Sequence, residues 1–442
     1  MTSRFAFSVT DELFHHLESP DEPFGLQVDV RVSGRLDEQR LEAAAAAAMK
    51  THPLAAVRQI PLTGGRQHYQ WELVERPDED PVLAIDCEDE AAIEAARDSF
   101  YSRRLMLESA PPFRMLIARH AGGDWLFLKM SHAVTDSAGA WRFLMSVLRH
   151  YAGISDPQPE GIDVIKARHL SREFGAKSMA ERLKRASKLL DYLVDSVQLP
   201  TRITNHFGEN KAGVAFVAHT FDKAETEALG KLRLGGATLN DVLATLLHLT
   251  VQRWNESRRD SAGRITLMTA MNFRPISWRQ EGVGNFSLWV NVATREIDRR
   301  SYARALEVVT EQTQKLKGEE SAGILVDLLD MVQLLPGALR KALTGLMPLT
   351  GNFVVDTAVL NNLGRVPDIP DPAGKAGRIT AVRFSPPTHM PMGVAVGAIT
   401  LRGELTLTFR YRHAQFDRIA AESFRDTFVK LVKELLAQYA ER

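Results

Sequence analysis

The sequence predicts an α/β protein with mixed β-sheets built as two halves, and three observations carry that prediction. Apolar runs of strand length alternate with longer segments of helical periodicity, and the alternation occurs twice along the chain. At 442 residues the chain exceeds what one hydrophobic core usually supports. With 45% hydrophobic and 25% charged residues it has a globular composition, and no short-period repeat interrupts the plan.

In the first half, Phe14-His15-His16-Leu17 reads as an N-terminal turn or helix feature. Leu26, Val28, Val30 and Val32 alternate with polar residues, which predicts a half-buried strand. A turn at Ser33-Gly34 leads into a helix over Leu36 to Lys50, stopped before Pro53, and its alanine run Ala43 to Ala48 is a strong helix former. Phe113 to Ala118 and Trp125 to Met130 are apolar runs joined by His120-Ala-Gly-Gly-Asp124, a hairpin connection read as a solvated turn. A helix with Ala140, Phe143, Leu144 and Val147 on one side follows, and Asp156 to Gly161 is a loop.

A basic helical segment then links the halves. Met179, Leu183, Ala186, Leu190, Leu193 and Val197 recur at helical spacing, with Arg182, Lys184, Arg185 and Lys188 on the other faces. It is either a surface helix with a solvated basic side or a contact for a phosphate-bearing carrier or an anionic membrane surface.

The second half opens with a strand at Gly213 to Phe221 and a helix from Lys223 to Leu232. Thr238-Leu-Asn-Asp241 is a capping-box-like start to a helix whose broad apolar face includes Leu239, Val242, Leu246 and Trp254. Strands at Ile265 to Met271 and Phe286 to Val292 flank Asn272-Phe273-Arg274-Pro275. Helical stretches follow at Ala303 to Leu316 and Ile324 to Leu335, and Leu339 to Leu349 is a core helix or a flap over a hydrophobic channel. Strands at Val354 to Leu360, Ile379 to Phe384, Val394 to Leu401 and Leu405 to Arg410, the last within the polar, alternating run Glu404 to Tyr411, precede a last helix over Ile419 to Tyr439. The expected division is an N-terminal unit over 1–178, a linking helix and loop over 179–212, and a C-terminal unit over 213–442.

Histidine followed four residues later by aspartate occurs at His120 and Asp124, His132 and Asp136, and His413 and Asp417. The first pair sits in the hairpin turn, and Asp417 reads as a helix N-terminal acid. Only His132 lies between a nearly continuous apolar strand, which implies burial on both faces, and an amphipathic helix. A histidine in such a place can be held rigidly as a neutral imidazole and offered to a substrate as a base.

The segment Ser131-His132-Ala133-Val134-Thr135-Asp136-Ser137 resembles the H-H-x-x-x-D-G mark of a superfamily of acyltransferases. That superfamily groups chloramphenicol-acetyltransferase-like enzymes, plant alcohol acyltransferases, wax-ester synthases, polyketide-associated acyltransferases and peptide-synthetase condensation domains. Leu36-Asp37 through His52-Pro53-Leu54, Pro111-Pro112-Phe113-Arg114, Thr238 to Val242, Asn272 to Pro275, Gly284-Asn285-Phe286-Ser287 and Asn362 to Val366 are also family-like, in the family's order.

The resemblance implies two chloramphenicol-acetyltransferase-like subdomains in a V around a central channel, with His132 in it. It implies transfer of an acyl group from a thioester, acyl-CoA or an acyl-carrier-protein conjugate, to the hydroxyl or amine of a small-molecule, lipid-like or polyketide-like acceptor. His132 is then the general base, and Asp136 is structural, paired with Arg274. Ser287, Asn285 or a backbone N–H of the same segment is a candidate oxyanion donor, a role worth ~3 kcal/mol. Ser131, Ser137, Gly139 and Asn285 are expected along the channel. Ser131 and Ser137 depart from the motif's first histidine and its glycine, and two other readings stay open. One is a condensation-type enzyme that uses carrier-bound donors, and the other is a non-catalytic relative that binds a carrier protein or lipid.

Other chemistries are disfavoured on the residues. No G-x-S-x-G elbow is present, and there is neither an H-E-x-x-H pattern nor a clustered His/Cys set for a metal. A formal net charge of +0 argues against nucleic-acid binding. The one cysteine, Cys87, excludes an internal disulfide framework and fits a reducing, cytoplasmic compartment. Met1-Thr-Ser-Arg-Phe lacks the pattern of a secretion signal, and no apolar span is long enough to cross a bilayer. His389 is expected at the edge of a tunnel.

Overall fold

The computed structural model describes residues 3–19, 22–61, 68–157, 163–170, 174–181, 183–185, 199–206, 208, 211–274, 278, 281–316, 326–327, 339, 342, 356–366, 370–372, 374–389 and 392–440. The first half runs β1 (Arg4–Ala6), α1 (Val9–Leu17), β2 (Gly25–Val32), α2 (Glu38–Thr51), β3 (Val57–Ile60), β4 (Gln70–Leu73), β5 (Val82–Asp86) and α3 (Glu90–Ser102). It continues with β6 (Phe113–Arg119), β7 (Trp125–Ser131), α4 (Ser137–Ala152) and a single turn, α5 (Val164–Ala167). The second half holds β8 (Val214–Phe221), α6 (Lys223–Lys231), α7 (Leu239–Glu256), β9 (Ile265–Asn272), β10 (Ser287–Thr294) and α8 (Tyr302–Leu316). It ends with β11 (Ala358–Arg365), β12 (Ile379–Ser385), β13 (Val394–Leu401), β14 (Glu404–Arg412) and α9 (Arg418–Ala440).

Local chemistry sets the helix starts. Asp37, Asp89 and Asp136 each accept an N–H in the first turn of the helix that follows, which satisfies an otherwise orphaned donor. The expected capping box at Thr238 and Asp241 is formed, and a second one, Ser8 with Asp11, starts α1. Asp417 accepts from Ala420 N at the start of α9, as its sequence position suggested.

The strands form a three-stranded sheet, β1-β4-β3, a five-stranded sheet, β12-β2-β7-β6-β5, and a six-stranded sheet, β10-β9-β11-β13-β14-β8. Both larger sheets are mixed: β5 is parallel to β6, and β11 is parallel to β9 and β13. One core fills the space between α2, α4 and the five-stranded sheet, and a second lies between α7, α8, α9 and the six-stranded sheet. Helix α3 packs between them, with Phe100 and Tyr101 against Phe127 and Phe216.

The expected division at residue 213 does not hold for one strand. β12 crosses to the first half and pairs antiparallel with β2, Val382 opposite Val30 and Phe384 opposite Val28. Three expectations of exposure also change. β2, read as half-buried, is buried at every position but Arg31, with Tyr101 of α3 set against its polar face at Asp29. Tyr101 Oη lies 2.6 Å from Asp29 Oδ1 and Gln27 donates to Asp29 Oδ2 at 2.7 Å, so the buried polar groups are matched. Burial pushes the Asp29 carboxyl up to about 6.

β14 is likewise buried beyond its first residue, and Arg410 in it donates to the carbonyls of Gly25 and Pro23, both at 2.8 Å. Asp124 is no solvated turn residue. It is fully buried and accepts from Leu36 N at 2.9 Å and His120 N at 3.1 Å, which ties the hairpin to the start of α2.

The strand expected at Val354 to Leu360 runs instead over Ala358–Arg365, with 354–355 outside the described residues. Most of the basic helix and of the segments 324–335 and 339–349 also lies outside them. Met179 and Leu183, described at the start of the basic helix, are exposed. Among the described residues no helix is long and apolar enough to cross a membrane.

Candidate active site

β7 is buried at all seven positions and ends at Ser131, so the chain leaves a rigid strand at His132. The turn that follows is built from its own backbone and from Ser131. Val134 N donates to Ser131 O at 3.2 Å, and Ala133 N donates to Ser131 Oγ at 3.2 Å. The serine that replaces the motif's first histidine thus closes the turn and is itself buried.

Asp136 is the fixed point of the loop. Arg274 grips it with both terminal nitrogens, Nη1 to Oδ2 and Nη2 to Oδ1, each at 2.7 Å. Gly139 N, Phe286 N and Ser287 Oγ each donate to it at 2.9 Å. Burial would raise this carboxyl, but the Arg274 charge and these hydrogen bonds outweigh it and hold the group below the usual carboxylate range. Arg274 also donates to the carbonyls of Gly282 and Gly284, and its guanidinium lies 4.8 Å from the Phe286 ring. Asp136 belongs to the first half and Arg274 to the second, so the pair joins the two where the loop sits.

Both oxygens of Asp136 are turned into this network and away from the His132 ring. That ring is partly exposed, with its Nδ1 shut off from solvent. Desolvation lowers its pKa below the ordinary value of 6.5, although the Asp136 charge, the Asn285 side chain and the backbone oppose this. The ring is therefore neutral at physiological pH and chemically able to accept a proton.

Ser287, a candidate oxyanion donor from sequence, has its hydroxyl proton committed to Asp136. Ser131, Ser137, Gly139 and Asn285, expected along a channel, are all buried and turned to protein instead. Ser137 Oγ accepts from Asn361 Nδ2 at 2.9 Å, a second link between the halves, and Asn285 Nδ2 donates to His132 O at 2.9 Å. A Cβ on Gly139 would lie 2.0 Å from Thr135 Oγ1 and 3.3 Å from Arg274 Nη2, so only glycine fits. Gly139→Ala is expected to cost ~1–3 kcal/mol through overpacking. A thermal melt should show it as a lower Tm, and a parent-like Tm would contradict this packing.

The sequence reading missed what covers His132. Phe14, on α1, stacks on its ring at 3.8 Å between centroids and 20° between planes, and Phe24 lies parallel to it at 5.7 Å. Trp289 of β10 packs edge-on to Phe14 at 6.2 Å. The signal available was the capping box Ser8-Val-Thr-Asp11 before an apolar run, which marks a helix and hence a face to bury. Asp11 also holds α1 in place through Trp71 Nε1 at 3.0 Å and a contact with Arg168. His389 is buried edge-on to Phe24, with Nε2 3.2 Å from Glu22 Oε2. Among the described residues no group of three or more His, Cys, Asp or Glu side chains is placed to hold a metal ion.

Comparison with known proteins adds the following. A family model described as "Condensation domain" matches residues 13–321. An uncharacterized protein of Mycobacterium tuberculosis, Rv2305, is 33% identical over 413 residues, which covers 93% of this chain and 94% of the relative. Among solved structures, the first condensation domain of the calcium-dependent antibiotic synthetase, in complex with a substrate analogue, has a TM-score of 0.73 at 15% identity. That match covers 98% of this chain and 96% of the other. A variant of the starter condensation domain of rhizomide synthetase, in complex with C8-CoA, has a TM-score of 0.70 at 13% identity and covers 98% and 95% of the two chains.

Proposed function

The chain belongs to the condensation-domain family, and on that premise we propose that it is an acyltransferase that moves an acyl group from a thioester to a hydroxyl or amine. The observation that carries the reading is the neutral, partly exposed His132 ring, set at the end of a rigid strand where the two halves meet. His132 takes the acceptor's proton as the acceptor attacks the thioester carbonyl, and the thiol leaves. Asp136 and Arg274 keep the loop in shape and touch neither substrate.

Acyl-CoA is the donor we favour. A relative of this fold is described in complex with C8-CoA, and the wall beside His132 suits an acyl chain. That wall is Phe14, Leu17 and Phe24, with Leu13 and Trp289 packed against them. A lipid-like or polyketide-like acceptor follows from the same apolar surroundings. The test is release of free thiol from acyl-CoA with a panel of alcohols and amines, beside the same donor carried on an acyl carrier protein. Turnover with acyl-CoA supports the reading. Turnover with carrier-bound donors alone favours a condensation-type enzyme, and turnover with neither favours a binding protein of the same fold.

The protonation state gives a second check. Only the neutral ring can take a proton, and its folded pKa lies below the ordinary value of 6.5. The expected profile of kcat/KM is level as pH falls from about 8 to about 6.5, with decline only below that. An acid limb centred above 6.5 would contradict a desolvated imidazole as the base.

A further inference from the structure

We propose that the donor's acyl chain lies in a slot over Ala270 on β9, and that Ala270 and Met268 set the chain length accepted, an assignment that rests on the acyltransferase reading above.

The six-stranded sheet turns one face to its own helices. On the other face the antiparallel register sets Ser287 of β10 opposite Asn272, Trp289 opposite Ala270, and Asn291 opposite Met268. Residues opposite one another in such a pair share a face. Ser287 reaches Asp136 and Trp289 reaches Phe14, so this is the face turned to the His132 loop. Across the other edge of β9, Val359 of β11 stands beside Met268. Asn361, two residues on and therefore on the same face, continues that row beside Ala270 and donates to Ser137 Oγ.

Ala270 is thus a single methyl group set between a tryptophan and an asparagine. Its neighbours do not close over it, since it is exposed although strands pair with it on both edges. Exposure falls along β9: Asn272 and Ala270 are exposed, Met268 is half-buried and Thr266 is buried. The trough is therefore open toward the loop and closes at Met268, which packs on Val359, Met392 and Ala395. Its flank beyond Asn361 is walled by β12, which lies so close to Gly397 that a Cβ there would stand 2.0 Å from Phe384 O. From Asn272 to Met268 the strand rises about 13 Å, at about 3.3 Å per residue.

The shape and chemistry of the slot select its occupant. The amides at its rim are engaged by the protein: Asn272 Oδ1 accepts from Arg274 N at 3.0 Å, and Asn291 Nδ2 donates to Asp356 Oδ2 at 2.5 Å. A narrow trough floored by a methyl group and closed by a methionine suits a run of methylenes, and the flexible thioether can adapt to more than one length. Because the open end lies toward the His132 loop, the occupant must carry its reacting group at one terminus. An acyl thioester is built that way, and Trp289 makes the slot continuous with the apolar wall of Phe14, Leu17 and Phe24.

The first measurement needs no turnover. S-decyl-CoA, a thioether that the reaction cannot cleave, is titrated by calorimetry beside CoA alone. Ala270→Phe fills the trough with a ring, and it should weaken S-decyl-CoA on the order of 10- to 100-fold while CoA binds as to the parent. The site is exposed and aromatic residues suit strands, so a parent-like Tm is expected of the variant. Equal affinity of both proteins for S-decyl-CoA, or a parent that binds it no better than CoA, overturns the proposal.

Thiol release from acetyl-, hexanoyl-, decanoyl- and palmitoyl-CoA with one acceptor then reads the length preference. Ala270→Phe should keep acetyl transfer within about 3-fold of the parent and lose decanoyl transfer on the order of 10- to 100-fold. Met268→Ala deepens the slot and should raise palmitoyl over decanoyl transfer by about 10-fold. Losses that are equal for every donor, or that follow the length of the acceptor alcohol instead, overturn the proposal. If the parent turns over no thioester while the difference in S-decyl-CoA binding is found, the slot stands and the acyltransferase reading fails.

Discussion

His132→Ala is expected to lower the rate of acyl transfer about 10²- to 10⁴-fold, the range typical of a lost general base. The variant should still fold. The His132 ring is partly exposed, and its main packing partner is the face of Phe14 at 3.8 Å, a contact worth ~0.5–1.5 kcal/mol. The backbone of the loop does not depend on the ring, since Asn285 donates to the His132 carbonyl and Val134 N to Ser131 O. A Tm near that of the parent together with a rate near background is therefore the expected pair of results, read from thermal melts and thiol release. Parent-like thiol release would remove His132 from the chemistry.

Asp136→Ala should have the opposite signature, a loss of stability first. It leaves the Arg274 guanidinium buried with three backbone carbonyl contacts, Gly282 O twice and Gly284 O once, and no countercharge. Removing one member of a buried pair costs ~3–5 kcal/mol, and Arg274→Ala should cost a similar amount by stranding the carboxylate. The double variant should lose less than the sum of the two, because it strands neither charge. Chemical denaturation of all four proteins measures this, and additive losses would show that the pair is not coupled.

The pH dependence has a definite sign. The folded pKa of Asp136 lies below the unfolded value, so its contribution is present above about 3.9 and fades as pH falls through the folded value. The gap between parent and Asp136→Ala should therefore persist from neutral pH down through the ordinary carboxylate range and close only beneath it.

Much of the fold could be read in the residues, because strand and helix periodicities are local. The run Val394 to Leu401 and the helix start at Thr238 fall where the sequence put them. What could not be read was the second layer. Alternation in β2 shows that one face is apolar, but not that Tyr101 and Gln27 will cover and match Asp29 on the other. In the site, His132, Asp136 and Arg274 were found through a motif and a resemblance, whereas Phe14 and Asn361 reach the loop from distant segments. Their contacts depend on how α1 and β11 are placed, which no short-range pattern encodes. Ser287 shows the converse. A serine on a strand looked free to serve a substrate until its nearest carboxylate was known.

The exchange of β12 into the first sheet bears on how the chain comes off the ribosome. Until residue 385 has emerged, β2 offers a bare row of N–H and C=O groups as its outer border, an open invitation to pair with another chain. The earlier-made portion cannot complete itself and wait. It reaches its finished form only when the later portion reaches back, so the two mature together as one interlocked unit.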